Sequence, residues 1–197
     1  MIKRFLLILI LLLPLNVFAL DRCNDYIPDV RAQHIRYFGL SYPWWYGVGQ
    51  LKQESKCRDK VTAFDLGQGA AQFMPVTTKY VRKLMNEPQL NPYQREDALK
   101  MQAFYMSYLH KHENKFEGKP LWLTYQGYNG GFSLLYKESQ RSGNSDWKDM
   151  KKQCRRKVLT LKNGNKLDLC DVNYDYSKRV YKYGNAYRTG EDRINFW

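Results

Sequence analysis

The stretch from Gln53 to Pro75 constrains the fold of this chain more than any other part of the sequence. Glu54 stands at the end of an apolar, aromatic-rich segment with helical spacing, and a glycine-punctuated loop follows it. Aromatic side chains such as Trp44 and Trp45 can wall a carboxyl placed there, and desolvation then raises its pKa because the charged form loses hydration. Such a carboxyl keeps a proton near neutral pH and can act as a general acid. A lone helical glutamate is more often a surface residue, so the neighbouring motifs decide the interpretation.

Four short motifs occur in order along the chain. They are Glu54-Ser55; Gly69-Ala70-Ala71-Gln72, continued by Phe73-Met74-Pro75; Tyr128-Asn129-Gly130-Gly131; and Tyr176, four residues before Val180. Together they resemble the ordered motifs of the soluble lytic transglycosylase family, which read Glu-Ser, Gly-Leu-Met-Gln, Ala-Tyr-Asn-Ala-Gly and a late tyrosine. The resemblance implies a lysozyme-like helical fold and an activity that cleaves peptidoglycan. Together with the chain length and the hairpin predicted below, it gives a mainly α fold class: a single lysozyme-like helical domain with a small β-hairpin insertion.

The resemblance also implies a role for each matching position. Glu54 would be the catalytic acid, and the hydroxyl of Tyr176 would hold its carboxyl in the reacting geometry. Tyr128 and Asn129 would line the cleft, with core packing and a turn cap as their ordinary structural alternatives. The chain has sixteen tyrosines, so the choice of Tyr176 rests on its spacing to Val180. The other matching positions that would bind substrate or support the site are Ser55, Gln72 and Met74.

The loop after Glu54 departs from the family pattern. Nine residues after the glutamate the family usually has a serine that helps to orient the sugar, but this chain has Ala63 there. Thr62, beside it, either substitutes for that serine or leaves the role unfilled.

Asp65 is a possible second carboxylate, eleven residues after Glu54. An inverting glycosidase activates water with a carboxylate roughly 6.5–9.5 Å from its acid. Asp65 in the cleft would therefore indicate a hydrolase like the goose-type lysozymes, which resemble this family. Aspartate also hydrogen-bonds readily within its own turn, and we favour that interpretation.

The reaction that the resemblance implies breaks the β-1,4 bond between N-acetylmuramic acid and N-acetylglucosamine and leaves a 1,6-anhydromuramic end. Glu54 would serve first as acid and then as base, with no metal or cofactor. The alternatives are a muramidase-like hydrolase that uses Asp65, and a non-catalytic wall-binding protein that has kept the cleft.

Residues 1–19 have the layout of a secretory signal peptide. Lys3-Arg4 precedes an apolar run from Phe5 to Leu13, and Val17-Phe18-Ala19 suits signal peptidase. The apolar run is shorter than the roughly 20 residues that a membrane span needs. We therefore expect cleavage, a catalytic domain of residues 20–197, and a periplasmic or secreted product rather than an anchored one.

The formal charge of +13 favours polyanionic partners. Export removes nucleic acid as a partner and leaves the carboxylates of peptidoglycan stem peptides, although a basic surface can also serve solubility alone. We expect peptidoglycan glycan strands as the partner, no nucleic acid, no stable membrane anchor after signal cleavage, and a monomer.

All four cysteines follow the proposed cleavage point, and an even count in an exported chain favours disulfides. Three pairings are possible, and our prediction is Cys23 with Cys57 and Cys154 with Cys170. The cysteines lack C-x-x-C spacing and have no nearby histidine, which disfavours zinc. The second pair would tie the base of a hairpin predicted around Asn163-Gly164. We place that hairpin in an insertion, residues 141–173, beside the cleft.

Helical periodicity and cap residues predict the other elements. Gly47 and Gly49 are poor helix formers, so they predict that another backbone approaches the second helix closely. The stretch from Ser139 to Asp149 is expected to be a loop. The predicted helices run from about Val30 to Phe38, Ser41 to Glu54, Thr77 to Leu84, Asn91 to Leu109 as the buried central helix, Leu121 to Tyr128, and Tyr174 to Tyr187.

Overall fold

The computed structural model of the chain describes residues 21–116, 120–161 and 163–189. The predicted signal peptide lies outside the described residues. The α-helices are α1 (Ile27–Phe38), α2 (Trp45–Ser55), α3 (Pro75–Met85), α4 (Arg95–Lys111), α5 (Trp122–Gly130), α6 (Phe132–Ser142), α7 (Trp147–Lys152) and α8 (Leu169–Gly184). Strands β1 (Val158–Thr160) and β2 (Lys166–Asp168) pair, and 3-10 turns span Arg22–Tyr26, His112–Lys115 and Asn185–Tyr187. The mainly α fold class with a small hairpin is confirmed.

The core consists of two clusters of buried side chains joined by a third. The first packs α1 to α4 and the loop before α3 around residues such as Leu51 and Met101, and the second packs α5 to α8 around Leu123. Tyr125 and Tyr176 belong to the third cluster, which connects α4, α5 and α8. The prediction that α4 is the central buried helix is confirmed, because it buries residues along most of its length.

Helices α2 and α8 pack backbone against backbone. A Cβ added to Gly49 would lie 2.4 Å from the carbonyl oxygen of Val180, and one added to Gly184 would lie 2.9 Å from the Cα of Tyr46. Only glycine permits this approach, because any side chain there would meet backbone atoms that cannot rotate away. The predicted close approach is therefore confirmed at Gly49.

Gly47 is also crowded, but by a side chain. A Cβ there would lie 2.4 Å from the imidazole of His34 on α1, which is itself buried. The two glycines of α2 therefore make room for different neighbours. Gly49 faces the backbone of α8, and Gly47 faces the His34 ring of α1.

Several helices begin later or earlier than the sequence predicts. Helix α2 begins at Trp45 instead of Ser41, because Tyr42 and Pro43 accept backbone hydrogen bonds that form a separate turn. Helix α3 begins at Pro75, since proline at the first helical position loses no hydrogen bond. Helix α4 begins at Arg95, because the side chain of Asn91 accepts from the backbone N–H of Tyr93 and forms a turn before the helix.

The expected loop from Ser139 to Asp149 is wrong. Helix α6 continues to Ser142 and ends at Gly143, whose φ of 72° is left-handed. Helix α7 then begins after Asp146, whose carboxylate accepts from the backbone N–H groups of Lys148 at 2.8 Å and Asp149 at 3.2 Å. The stretch lacks an apolar stripe because its buried residues are Ser139 and Ser145, and its one large apolar residue, Trp147, is half-buried.

The two disulfides join Cys23 to Cys57 and Cys154 to Cys170, as predicted. The hairpin is antiparallel with Val158 opposite Asp168, and all three residues of β1 are exposed. A two-stranded hairpin is marginal alone, so the disulfide at its base supplies stability that burial does not. Helix α8 starts directly after β2, where the side chain of Asp168 accepts from the N–H of Cys170 at 2.7 Å. The boundaries 141–173 of the insertion stay a prediction.

Of the helices in the described ranges, none is long and apolar enough to cross a membrane.

We expect Gly49→Ala to destabilise the fold by about 1–3 kcal/mol, because the new methyl group would overlap backbone atoms of α8. Alanine favours a helix over glycine by about 1 kcal/mol, so a net loss requires the steric overlap to dominate. Urea unfolding measures the free energy of unfolding. Lys182→Ala, on the exposed face of α8, is the control and should change it by less than about 0.5 kcal/mol. A Gly49→Ala protein as stable as the wild type would contradict the close contact.

Candidate active site

Glu54 lies in the last turn of α2, and its carboxyl accepts a hydrogen bond from the Tyr176 hydroxyl of α8. Burial of the carboxyl raises the pKa of Glu54 to about 7. The Tyr176 hydrogen bond and the positive charge of Arg179 oppose that rise, whereas the negative charge of Asp65 adds to it. The group can therefore give and take a proton near neutral pH, as a general acid or base must.

The walls of the site differ from the expectation. Trp44 and Trp45 are buried in the first core cluster, at the opposite end of α2. At about 1.5 Å per residue, Trp44 lies about 15 Å along the helix from Glu54. The expected tryptophan wall is therefore wrong, and tyrosines near Glu54 take its place. The negative charge of Glu54 contributes to the raised pKa of both Tyr128 and Tyr176, which places these two rings close to the carboxyl.

The backbone of the loop before α3 is held by side chains from two helices. The hydroxyl of Ser55, in α2, donates to the carbonyl of Ala70 at 2.7 Å, and the hydroxyl of Tyr128, in α5, donates to the carbonyl of Ala71 at 2.7 Å. Gly69 has a φ of 68°, and a Cβ there would lie 1.7 Å from the carbonyl oxygen of Pro92. These contacts fix the loop between α2 and α5.

Gln72 and Met74 continue this loop toward α3. Gln72 is left-handed with a φ of 53°, and its amide donates to the carbonyl of Gly69 at 2.7 Å. Met74 is 37% exposed and precedes the first residue of α3. The Phe73 ring lies 5.8 Å from that of Tyr128, which is in turn 5.7 Å from Tyr105. The loop thus ends beside a group of aromatic rings next to Glu54.

Asn129 joins the end of α5 to α8. Its side-chain oxygen accepts from the amide of Asn173 at 3.0 Å, and the same amide donates to the carbonyl of Gln126 at 3.1 Å. Asn129 is otherwise exposed. It can therefore contact a ligand while Asn173 fixes its orientation.

Thr62 and Asp65 lie on the exposed part of the loop after α2. The Thr62 hydroxyl pairs with the Tyr93 hydroxyl at 2.8 Å, and Asp65 accepts from the backbone N–H of Gly67 at 3.3 Å. The turn-forming interpretation of Asp65 matches this hydrogen bond. The described contacts link Asp65 to Glu54 only through the electrostatic effect on its pKa.

Sequence reasoning missed Gln50 and Arg179. Gln50 is buried one turn before Glu54, accepts from the Gln102 amide at 2.8 Å and donates to the sulfur of Met106 at 3.6 Å, and it opposes the rise in the pKa of Tyr176. A glutamine on the apolar face of α2, four residues before the glutamate, was the available signal. Arg179 follows Tyr176 by three residues, which places the two side chains on the same face of α8.

In the parts of the chain that the structure describes, no group of three or more His, Cys, Asp or Glu side chains is placed to hold a metal ion.

Comparisons with known proteins find a family and a solved structure that are similar to this chain. A family model described as the transglycosylase SLT domain matches residues 50–151, a range that includes Glu54, Gln72 and Asn129 and ends before Tyr176. Among solved structures, the 70 kDa soluble lytic transglycosylase SLT70 from Escherichia coli is similar, with a TM-score of 0.58 and 20% identity. The alignment covers 80% of this chain and 24% of that one. The chain thus spans about a quarter of that protein's length, and the likeness shows the fold. No curated protein matches the chain.

We expect Glu54→Gln to stabilise the fold increasingly as pH rises. The unfolded chain ionises this carboxyl near 4.5 and the folded protein only near 7. Between these values the folded state keeps a proton that the unfolded state has lost, so wild-type stability falls as pH rises through that window. Glutamine has no such proton and still accepts from Tyr176.

Urea midpoints of both proteins from about pH 4 to about pH 8 provide the measurement. The advantage of Glu54→Gln should grow between pH 4.5 and 7 and then level off. An advantage that does not depend on pH would contradict the buried, protonated carboxyl.

Proposed function

The chain belongs to the transglycosylase SLT domain family, and we propose that it is a lytic transglycosylase that cleaves the glycan strands of peptidoglycan. The observation that carries this proposal is the Glu54 carboxyl, which burial brings to a pKa of about 7 and Tyr176 orients. A single acid of this kind is sufficient when the substrate supplies its own nucleophile.

The first step is protonation of the leaving group. Protonated Glu54 gives its proton to the glycosidic oxygen between N-acetylmuramic acid and N-acetylglucosamine, and the bond from that oxygen to C1 of the muramic residue breaks. A pKa near 7 leaves a large fraction of the carboxyl protonated at neutral pH.

The second step closes a ring within the substrate. The C6 hydroxyl of the muramic residue bonds to C1, and the Glu54 carboxylate takes the hydroxyl proton. Glu54 returns to its starting state, and no water is consumed. One carboxyl serves both steps, which distinguishes this reaction from glycosidases that need a pair.

The other site residues would position the sugar. Asn129 is exposed and held by Asn173, and Met74 is partly exposed beside the aromatic group of Tyr128. Both are suited to contact the glycan. We place Ser55 and Gln72 beneath them as supports, because their side chains are engaged with backbone carbonyls of the loop.

We further propose an exported, periplasmic or secreted protein. The signal-like layout of residues 1–19 supports export. The two disulfides favour an oxidising compartment, where peptidoglycan is also located.

We expect wild-type protein to release muropeptides with 1,6-anhydromuramic ends from purified sacculi, and Glu54→Gln to lower the rate about 10²- to 10⁴-fold, since general acid–base catalysis contributes that much. Mass spectrometry identifies the products, because anhydro ends lack the mass of one water.

Asp65→Asn is the control for this experiment. It should retain activity and yield the same anhydro products. Products that all carry an added water, together with loss of turnover in Asp65→Asn, would support the hydrolase instead. Absence of turnover in the wild type would support a wall-binding protein.

We expect Tyr176→Phe to lower kcat/KM about tenfold or more, the effect of losing a hydrogen bond to a charged group. The bond lowers the pKa of Glu54, so its removal should also move the basic limb of the pH profile to higher pH. Tyr128→Phe is the control for the pH profile alone, and it should leave the basic limb where it is, because its hydroxyl donates to Ala71 rather than to Glu54. An unmoved basic limb in Tyr176→Phe would show that Tyr176 does not act on the acid.

A further inference from the structure

A basic pocket lies beyond the end of α2, against the Cys23–Cys57 disulfide. It consists of two adjoining cavities of about 440 Å³ and about 650 Å³, which share Arg22 and Arg58 as lining residues. The cations around the basic pocket are Arg22, Lys52, Lys56, Arg58, Lys60 and Arg95. The proposed reaction at Glu54 uses none of them.

The two carboxylates of the basic pocket are already engaged. Asp21 pairs with Lys52 at 2.5 Å and accepts from the Tyr187 hydroxyl at 2.6 Å. Asp59 pairs with Arg95 at 3.4 Å and also accepts from the Tyr26 hydroxyl.

Four cations therefore remain in excess. Arg22, Lys56, Arg58 and Lys60 form no ion pair within residues 21–116, 120–161 and 163–189. Concave, like-charged surfaces of this kind concentrate anions.

Two guanidinium groups of the basic pocket are held in place, those of Arg58 and Arg95. The Nε of Arg58 donates to the carbonyl of Ser55 at 2.7 Å, and its backbone N–H donates to the Ser55 hydroxyl at 3.0 Å. The Arg95 guanidinium lies 4.1 Å from the centre of the Tyr26 ring. Fixed guanidinium groups suit planar oxyanions such as carboxylates, which they can bind through two parallel hydrogen bonds.

The basic pocket lies next to the acid along the chain. Arg58 is tied to Ser55, the residue that follows Glu54, so an anion in the pocket and a sugar at the acid can belong to one molecule. The apolar walls, Cys23, Tyr26 and Cys57, are buried. Insertion into a lipid surface would need exposed apolar side chains at this place.

We propose that the basic pocket binds carboxylates of the stem peptides attached to the glycan strand, an inference that rests on the proposed function for its ligand. The pocket would anchor a peptide-bearing strand while Glu54 acts on the sugar. Binding would then require the peptides as well as the glycan.

The test measures binding of Glu54→Gln protein, which leaves the polymer uncut, to insoluble sacculi and to chitooligosaccharides, which have β-1,4-linked N-acetylated sugars without peptides or carboxylates. The double variant Arg22→Glu and Lys60→Glu, called the pocket pair, reverses two charges of the basic pocket. The double variant Lys79→Glu and Lys83→Glu, called the α3 pair, makes the same change of net charge on α3, at a different surface. Near-ultraviolet circular dichroism verifies that each variant is folded.

We expect the pocket pair to weaken binding to intact sacculi about tenfold or more, as loss of charge-assisted hydrogen bonds would. The α3 pair should weaken it much less, and neither pair should affect binding to chitooligosaccharides. Equal losses from both pairs would mean that net charge alone acts and would overturn the proposal. A loss of the same size on the uncharged chitooligosaccharides would also overturn it.

Binding of the same variants to vesicles of anionic phospholipid is measured as well. Binding to them that depends on Arg22 and Lys60, without such dependence on sacculi, would assign the basic pocket to a membrane and overturn the proposal. The proposed reaction is judged separately, by turnover of the wild type. Loss of sacculus binding in the pocket pair would uphold this inference even if no turnover were found.

Discussion

The hydrogen bond from Tyr176 to Glu54 is the interaction on which the site depends. It crosses between α8 and α2, and it can form because Gly49 and Gly184 let the two backbones meet. Burial raises the pKa of the carboxyl, and the tyrosine bond and Arg179 counter part of that rise. The resulting pKa of about 7 suits a group that must give and then take a proton.

The residues of the short motifs mainly form hydrogen bonds that join one helix to another or to the loop before α3. Ser55 and Tyr128 hold neighbouring carbonyls of one loop from two different helices, and Asn129 is held by Asn173 of α8. Each of these hydrogen bonds gives a buried or half-buried polar group the partner that such groups require. The acid therefore sits at a point where α2, α5, α8 and the loop are fixed relative to one another. This is the arrangement that a preorganised site needs.

The sequence predicted what depends on residue identity at fixed spacing. Glu54 and Tyr176 meet as expected, the glycine at position 49 marks a close contact, and Asn163-Gly164 marks the hairpin. What it missed depends on tertiary packing. Helix α7 has a polar composition because Met150 is the one fully buried residue of its six, and the hydrogen bonds of its cap, Asp146, are seen only in the structure. The tryptophan wall was wrong for a related reason, since sequence proximity does not show which rings another helix brings to the carboxyl.

We infer that the fold holds the Glu54 carboxyl about half protonated at neutral pH. Carbon-13 NMR titration of the side-chain carboxyl carbon of Glu54, assigned by comparison with Glu54→Gln, measures that property directly. We expect a midpoint near 7 in the folded protein. A midpoint near 4.5, the ordinary value for glutamate, would contradict it.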